Sequence, residues 1–339
     1  MARMTGTATT SRAASLVLVA SALFGTTGTA QALGPDGLDP LVVGAARVAL
    51  AGAVLLGLAW ARGAFRAAAR VDWRVLTAGA AGVALFQVGF FSGVRLAGVA
   101  IGTVVALGSC PIWAGLATWA ATRRAPGRLW TTATALAVAG VVTLVLAGAP
   151  AGGGDGVPLG LALALAAGLG YGVYTVAGSR LIASGQRSDG AMGLLFAAGA
   201  VPLVPVLALR WPGGLENAQG WLTVGYLALV PTVLAYLLFG AGLRVLPAPT
   251  VATLNLAEPV VAAALGVAVL GEPVTTGGVA GAVLVLGGLA VLALPARGRR
   301  TAGRQEPGRQ EAGHQKPGDQ KPGDPVAGRR TPDRPAPTG

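Results

Sequence analysis

Residues 248–270 read APTVATLNLAEPVVAAALGVAVL, twenty-three positions that carry a single charge, Glu258. A helix of about 20 apolar residues spans the roughly 30 Å hydrocarbon core of a bilayer. In lipid, only a helix or a closed barrel satisfies every backbone N–H and C=O. A barrel strand would alternate apolar and polar side chains, and this run does not alternate. Nine further runs of the same kind precede or follow it: 13–32, 41–60, 75–94, 98–119, 129–148, 158–178, 190–209, 220–240 and 277–296. The chain therefore reads as an all-α polytopic membrane protein of ten transmembrane helices.

Composition agrees. Of 339 residues, 53% are hydrophobic and 11% charged, against about 25% charged in a soluble domain. The net charge of +12 does not point to nucleic acid, because almost all the charges sit in loops or in the C-terminal segment rather than on one face of a domain. One cysteine, Cys110, excludes an intramolecular disulfide and a cysteine metal cluster. The one histidine, His314, lies near the C-terminus, away from the apolar runs. No Walker A motif and no acidic cluster suited to a Mg²⁺-pyrophosphate are present. No catalytic set, metal site or cofactor is expected.

The short loops set the orientation. With a cytoplasmic N-terminus, fifteen arginines fall on the inner side, among them Arg62, Arg74, Arg123, Arg124 and Arg128, and two on the outer side, Arg95 and Arg210. That asymmetry predicts both termini inside a bacterial-type inner (plasma) membrane. Trp60, Trp73, Trp119, Trp130, Trp211 and Trp221 lie near helix ends, where an aromatic belt places them. The first run also reads as a secretory signal, with Arg12, an apolar core from Ser15 to Phe24 and Ala30-Gln31-Ala32 as an A-x-A site. The repeat described next favours a retained helix. Residues 297–339, with glycine every five positions from Gly303 to Gly323, have almost no apolar side chains and read as a disordered basic tail.

Two halves correspond at a spacing of 147–148 residues. Phe24-Gly25 matches Tyr171-Gly172; Val105 to Ala114, with Pro111, matches Thr253 to Ala262, with Pro259; Gly140 matches Gly288. An odd number of spans per half turns the second copy upside down. The loop after the fourth run carries Arg123-Arg124, and its counterpart carries Gly271-Glu272, so the charge changes sign with the side of the membrane. The domains are thus 1–12, a first five-helix repeat at 13–148, a second at 157–296, and the tail at 297–339. Inverted repeats with broken helices near the midplane are a recurring transporter architecture.

With these pieces in place the chain resembles the EamA-type drug/metabolite transporter superfamily over residues 13–296. Leu23-Phe24-Gly25-Thr26, Arg47, Pro111, Gly225-Tyr226 to Ala235-Tyr236, and Leu256-Ala257-Glu258-Pro259-Val260-Val261-Ala262 with Leu270-Gly271-Glu272 carry the resemblance. It implies a central cavity between the halves, alternating access, and export of amino acids, metabolites or toxic compounds more often than import. Arg123-Arg124 departs from the Gly-Glu that often follows this helix in the family.

Two charges lie inside the runs, Arg47 and Glu258. A charge at the bilayer centre costs at least about 2.5–3.5 kcal/mol, so such a group faces the bundle interior or a wet cavity. Glu258 is ten residues into its run, about 15 Å deep at 1.5 Å per residue. Glu258 reads as a proton or cation site and Arg47 as an anion site. An ion pair that only holds two helices together is the competing reading. Asn255 shares a helix face with Glu258. Trp113, Gln87 and Tyr174 complete the candidate binding set, and Pro111 and Pro259 are hinge candidates. The expected function is a secondary transporter that exports small organic metabolites or amino acids, with proton coupling as one mode. A membrane-embedded lipid-modifying enzyme and a non-transporting membrane partner or sensor are the alternatives. The expected partners are a small-molecule substrate and the lipid bilayer, not nucleic acid; a homodimer is compatible with this class.

Overall fold

The computed structural model describes residues 2–65, 70–147, 156–211 and 215–293. The proposed tail at 297–339, Arg66 and Asp155 lie outside the described residues. The described residues form a bundle of ten long helices: α1 (Ala2–Ala32), α2 (Pro40–Ala61), α3 (Trp73–Ala97), α4 (Val99–Thr122), α5 (Arg128–Leu146), α6 (Val157–Ala183), α7 (Ser188–Arg210), α8 (Ala218–Leu243), α9 (Ala248–Leu270) and α10 (Thr276–Ala293). All ten are long and apolar enough to cross a membrane, and the described residues contain no strand.

Local chemistry explains the ends. The Asp39 carboxylate accepts the Leu41 N–H at the start of α2, with Pro40 in the first turn, where its missing N–H costs nothing. Asp72 caps α3 and Asn217 caps α8 in the same way. α1 is helical from Ala2, and its stretch long and apolar enough to cross a membrane is Ala8–Ala32. The C-cap of α4 is Arg123, at φ 57°, and that of α9 is Gly271, at φ 72°. Both are left-handed and stand 148 residues apart. Glycine adopts that conformation freely, whereas an L side chain bears roughly 1 kcal/mol of strain there.

The packing repeats as well. α3 packs on α6 as α8 packs on α1; α4 packs on α6 as α9 packs on α1; α2 pairs with α7 and α5 with α10. This exchange of partners is what a twofold relation between inverted halves requires. The residues matched in the sequence mark the closest approaches. A Cβ on Gly25 would stand 2.9 Å from Val261 Cβ and 3.0 Å from the Glu258 carbonyl, and one on Gly172 would stand 2.8 Å from Ala114 N. Between α5 and α10, a Cβ on Gly140 would meet the Gly281 carbonyl at 2.7 Å, and one on Gly288 the Ala133 carbonyl at 2.7 Å. Small residues at these crossings let backbones approach, the form of helix packing that works in lipid.

The halves differ in regularity. α1 to α5 are unbroken α-helices, including α4 through Pro111. α7 contains a 3-10 turn at Val201–Leu203, α8 a π-helical segment at Leu229–Leu234, and α9 a 3-10 turn at Asn255–Ala257. A proline sits at each break, Pro202, Pro231 and Pro259. Proline lacks the N–H that the carbonyl four residues earlier needs, and its ring crowds that carbonyl. At Pro231 the Leu227 carbonyl is recovered by the Thr232 hydroxyl at 2.7 Å.

Candidate functional site

A cavity of about 1130 Å³ lies between the halves. Its wall is built from the C-terminal ends of α1, α3, α5, α7 and α9 and the N-terminal ends of α2 and α4, with the middle of α6 and α8 at its base. Its rim holds Asp39, Arg95, Arg210 and Glu272, residues of the arginine-poor face. No residue from the arginine-rich ends of the helices lines it. At that opposite end, Val17, Leu181, Met192, Leu195, Leu243 and Leu246 are buried in one continuous core and fill the space between the halves.

Both mid-span charges are in the cavity wall and part-buried. The Arg47 Nη2 donates to Gln87 Oε1 at 3.0 Å, and Gln87 Nε2 donates to the Gly44 carbonyl at 3.0 Å. The Arg47 guanidinium also lies 6.0 Å from the centre of the Phe91 ring, within cation–π range. Its Nε is buried and has no hydrogen-bond partner. Across the cavity, Asn255 Nδ2 donates to Glu258 Oε2 at 3.0 Å, and Asn255 Oδ1 in turn accepts from the Ser21 hydroxyl of α1 at 3.0 Å. The chain Ser21–Asn255–Glu258 spans the break in α9 and aims the carboxylate. Among the described residues, the ion pairs are Arg210–Asp39 and Arg187–Asp189, each 2.9 Å; Arg47 and Glu258 do not form one. The competing structural reading of these two charges, a helix-pinning salt bridge, therefore lacks its bond.

Aromatic rings line the rest. Tyr236 touches Phe24 and Phe196, with centroids 5.0 Å and 4.1 Å away, and its hydroxyl lies 2.7 Å from that of Tyr174. Of the candidates read from sequence, Glu258, Arg47, Asn255, Gln87 and Tyr174 meet in this one cavity, as does Pro259. Trp113 and Pro111 are not in its lining; Trp113 packs on α6, its ring over Gly168 and its backbone against Gly172. Sequence reading missed Ser21, Pro231 and Phe24 as site residues. Pro231 carried a usable signal, a proline in the middle of an apolar run; Ser21, one of several hydroxyls on α1, carried none.

At the rim, Arg210 Nη1 donates to Asp39 Oδ2 at 2.9 Å. Partial burial of the Asp39 carboxyl opposes its ionisation, but the Arg210 hydrogen bond and the Leu41 N–H outweigh that and hold its pKa below the ordinary aspartate value. Among the described residues no three His, Cys, Asp or Glu side chains cluster as metal ligands would.

A ten-helix membrane bundle of two inverted repeats, with a large one-sided cavity between them and a carboxyl and a guanidinium group in its wall, is the architecture of a transporter. The model of the EamA-like transporter family matches the chain twice, at residues 11–146 and 158–294, and the chain belongs to that family. An uncharacterized transporter, YwfM, of Bacillus subtilis (strain 168) is 34% identical over 286 residues, covering 84% of this chain and 95% of that protein. A probable amino-acid metabolite efflux pump of Salmonella typhimurium is 36% identical over 121 residues, covering 33% of this chain and 40% of its own length. A protein crystal structure matches with a TM-score of 0.71 at 23% identity, covering 83% of this chain and 96% of that one; it shares the fold.

Proposed function

We propose that the protein exports small organic metabolites, amino acids among them, from the cytoplasm by alternating access, with Glu258 as the proton-coupling group. The observation that carries this reading is the cavity itself. It is open at the arginine-poor face, closed at the arginine-rich one, and holds Arg47 and Glu258 in its wall without an ion pair between them. A guanidinium with a free N–H suits a carboxylate, Glu258 suits an ammonium group or a proton, and the aromatic rings suit an apolar side chain. The efflux-pump relative supports a substrate of this kind. The arginine asymmetry assigns the open face to the outside and both termini to the cytoplasm of a plasma (inner) membrane, which makes this an outward-open state. The family assignment and the absence of a catalytic set in the sequence favour a non-enzymatic role.

The test is uptake of radiolabelled amino acids and small organic acids and amines into proteoliposomes, with and without an imposed pH gradient. The expected result is accumulation that requires the gradient and is lost in Glu258→Gln. Flux no greater than that of empty vesicles for every solute would end the transport reading. Undiminished accumulation by Glu258→Gln would end the coupling reading alone.

A further inference from the structure

Outside the central cavity, a second concavity of about 770 Å³ runs along the surface between α4 and α5. Ile112, Leu116 and Trp119 on α4 are 46–49% exposed there, and Trp130 and Val138 face them from α5. From Trp130 to Ala139 the groove follows α5 for about 13 Å at 1.5 Å per residue. Its lining is apolar apart from Thr131, Thr134 and the Trp130 indole, whose Nε1 is buried without a hydrogen-bond partner.

One end of the groove is closed by Ala125 and Pro126 of the α4–α5 loop. That loop is flanked by Arg123, Arg124 and Arg128, all three exposed. Among the described residues none of their side chains forms an ion pair. The three charges thus crowd within six residues, at the depth where Trp119 and Trp130 mark a membrane interface. The matching loop of the other repeat has no arginine at the matching places: Gly271 and Glu272 stand there. Arg123 keeps the left-handed backbone that Gly271 adopts without strain. The turn itself does not require the arginines, since the second repeat makes it without them; they stand on the arginine-rich side, where they face the head groups of that leaflet.

We propose that the α4–α5 groove binds an anionic glycerophospholipid, with an acyl chain along the groove and the phosphate held by Arg123, Arg124 and Arg128. The charge complementarity selects this occupant over a zwitterionic lipid, and basic pockets between transmembrane helices are suited to such head groups. It also argues against a second copy of this chain, because a twofold-related copy would bring the same three arginines toward one another.

The test uses the full-length protein in phosphatidylcholine vesicles, to which dibrominated phosphatidylglycerol or dibrominated phosphatidylcholine is added, with tryptophan quenching as the readout. The expected result is preferential quenching by the brominated phosphatidylglycerol, and loss of that preference in Trp119→Phe/Trp130→Phe, which localises it to the groove among the seven tryptophans. Each arginine changed to glutamine lowers the preference about fivefold, as a charge worth about 1 kcal/mol at a membrane surface implies, and the triple variant shows none. Arg123→Gly separates folding from binding: its preference falls about fivefold while its melting temperature rises, because the strained turn is relieved. Equal quenching by the two lipids in the unaltered protein overturns the proposal. So does a preference that survives in the triple arginine variant, or cross-linking that shows α4 and α5 covered by a second copy. The C-terminal segment is the same in every variant, so it cannot produce these differences.

Discussion

α4 and α9 are the same helix written twice, and they behave differently. At a spacing of 148, Cys110-Pro111 corresponds to Glu258-Pro259, and Leu107 to Asn255. Both prolines remove one backbone donor. α4 nevertheless runs on as an α-helix, with Ser109 and Cys110 turning their side chains back to the Ala106 carbonyl at 3.0 Å and 3.2 Å. α9 breaks into a 3-10 turn; Thr253 still bonds back to the Pro249 carbonyl at 3.0 Å, but at the break itself Asn255 reaches Glu258 and is held by Ser21 of α1. A proline permits a break, and the groups around it decide whether one forms. The half that breaks its helices also supplies the carboxylate, whereas its counterpart in the regular half, Cys110, is buried outside the cavity.

The largest effect should come from exchanging that chemistry. Glu258→Gln should reduce gradient-driven accumulation in proteoliposomes to the leak of empty vesicles while substrate binding persists. Cys110→Glu in the same protein should not restore it, since the carboxylate would be buried away from the cavity, and its thermal stability should fall by several kcal/mol. Recovery of transport by that second change would show the two helices to be functionally equivalent. Because Arg47 bonds Gln87 and not Glu258, joint Arg47→Met and Glu258→Leu should do no better than either change alone.

The shared crossings come next. Gly25→Ala and Gly172→Ala each place a methyl within 3.0 Å of the facing helix. Each should destabilise by about 1–3 kcal/mol in thermal or denaturant unfolding. A harmless substitution at one position and not the other would break the twofold relation at that contact.

The prolines sharpen it further. Pro111→Ala, in a helix that is already regular, should raise thermal stability, on the order of 1 kcal/mol, and leave transport intact. Pro259→Ala should straighten α9, disturb the Asn255–Glu258 bond and slow transport with little change in melting temperature. Equal responses at the two prolines would show that α4 and α9 do not differ in this way.

The smallest effect belongs to the rim. Asp39 caps α2 and pairs with Arg210, so Asp39→Ala should cost about 1 kcal/mol and Asp39→Asn, which keeps the cap, about half of that. The folded pKa of Asp39 is depressed, so its contribution is complete above the unfolded value near 4. It is lost as the pH falls below that value through the lower folded one. The difference in melting temperature between wild type and Asp39→Asn should therefore shrink at pH 3 and be constant from pH 6 to 8.

Ten spans, two repeats and the depth of Glu258 were legible in the chain, because lipid demands long apolar helices and tolerates a charge only where something receives it. The glycine matches at Gly25, Gly172, Gly140 and Gly288 were legible as pairs, though not as crossings. What only the tertiary structure decided was which polar groups meet. That Gln87 takes Arg47, that Ser21 on a distant helix holds Asn255, that Trp113 packs on α6 instead of facing the cavity, and that the breaks fall in α7, α8 and α9 are outcomes of packing. Hydropathy records how deep a residue sits along the membrane normal. It holds no record of the direction a side chain points around its helix, and that direction is set by ten helices packing at once.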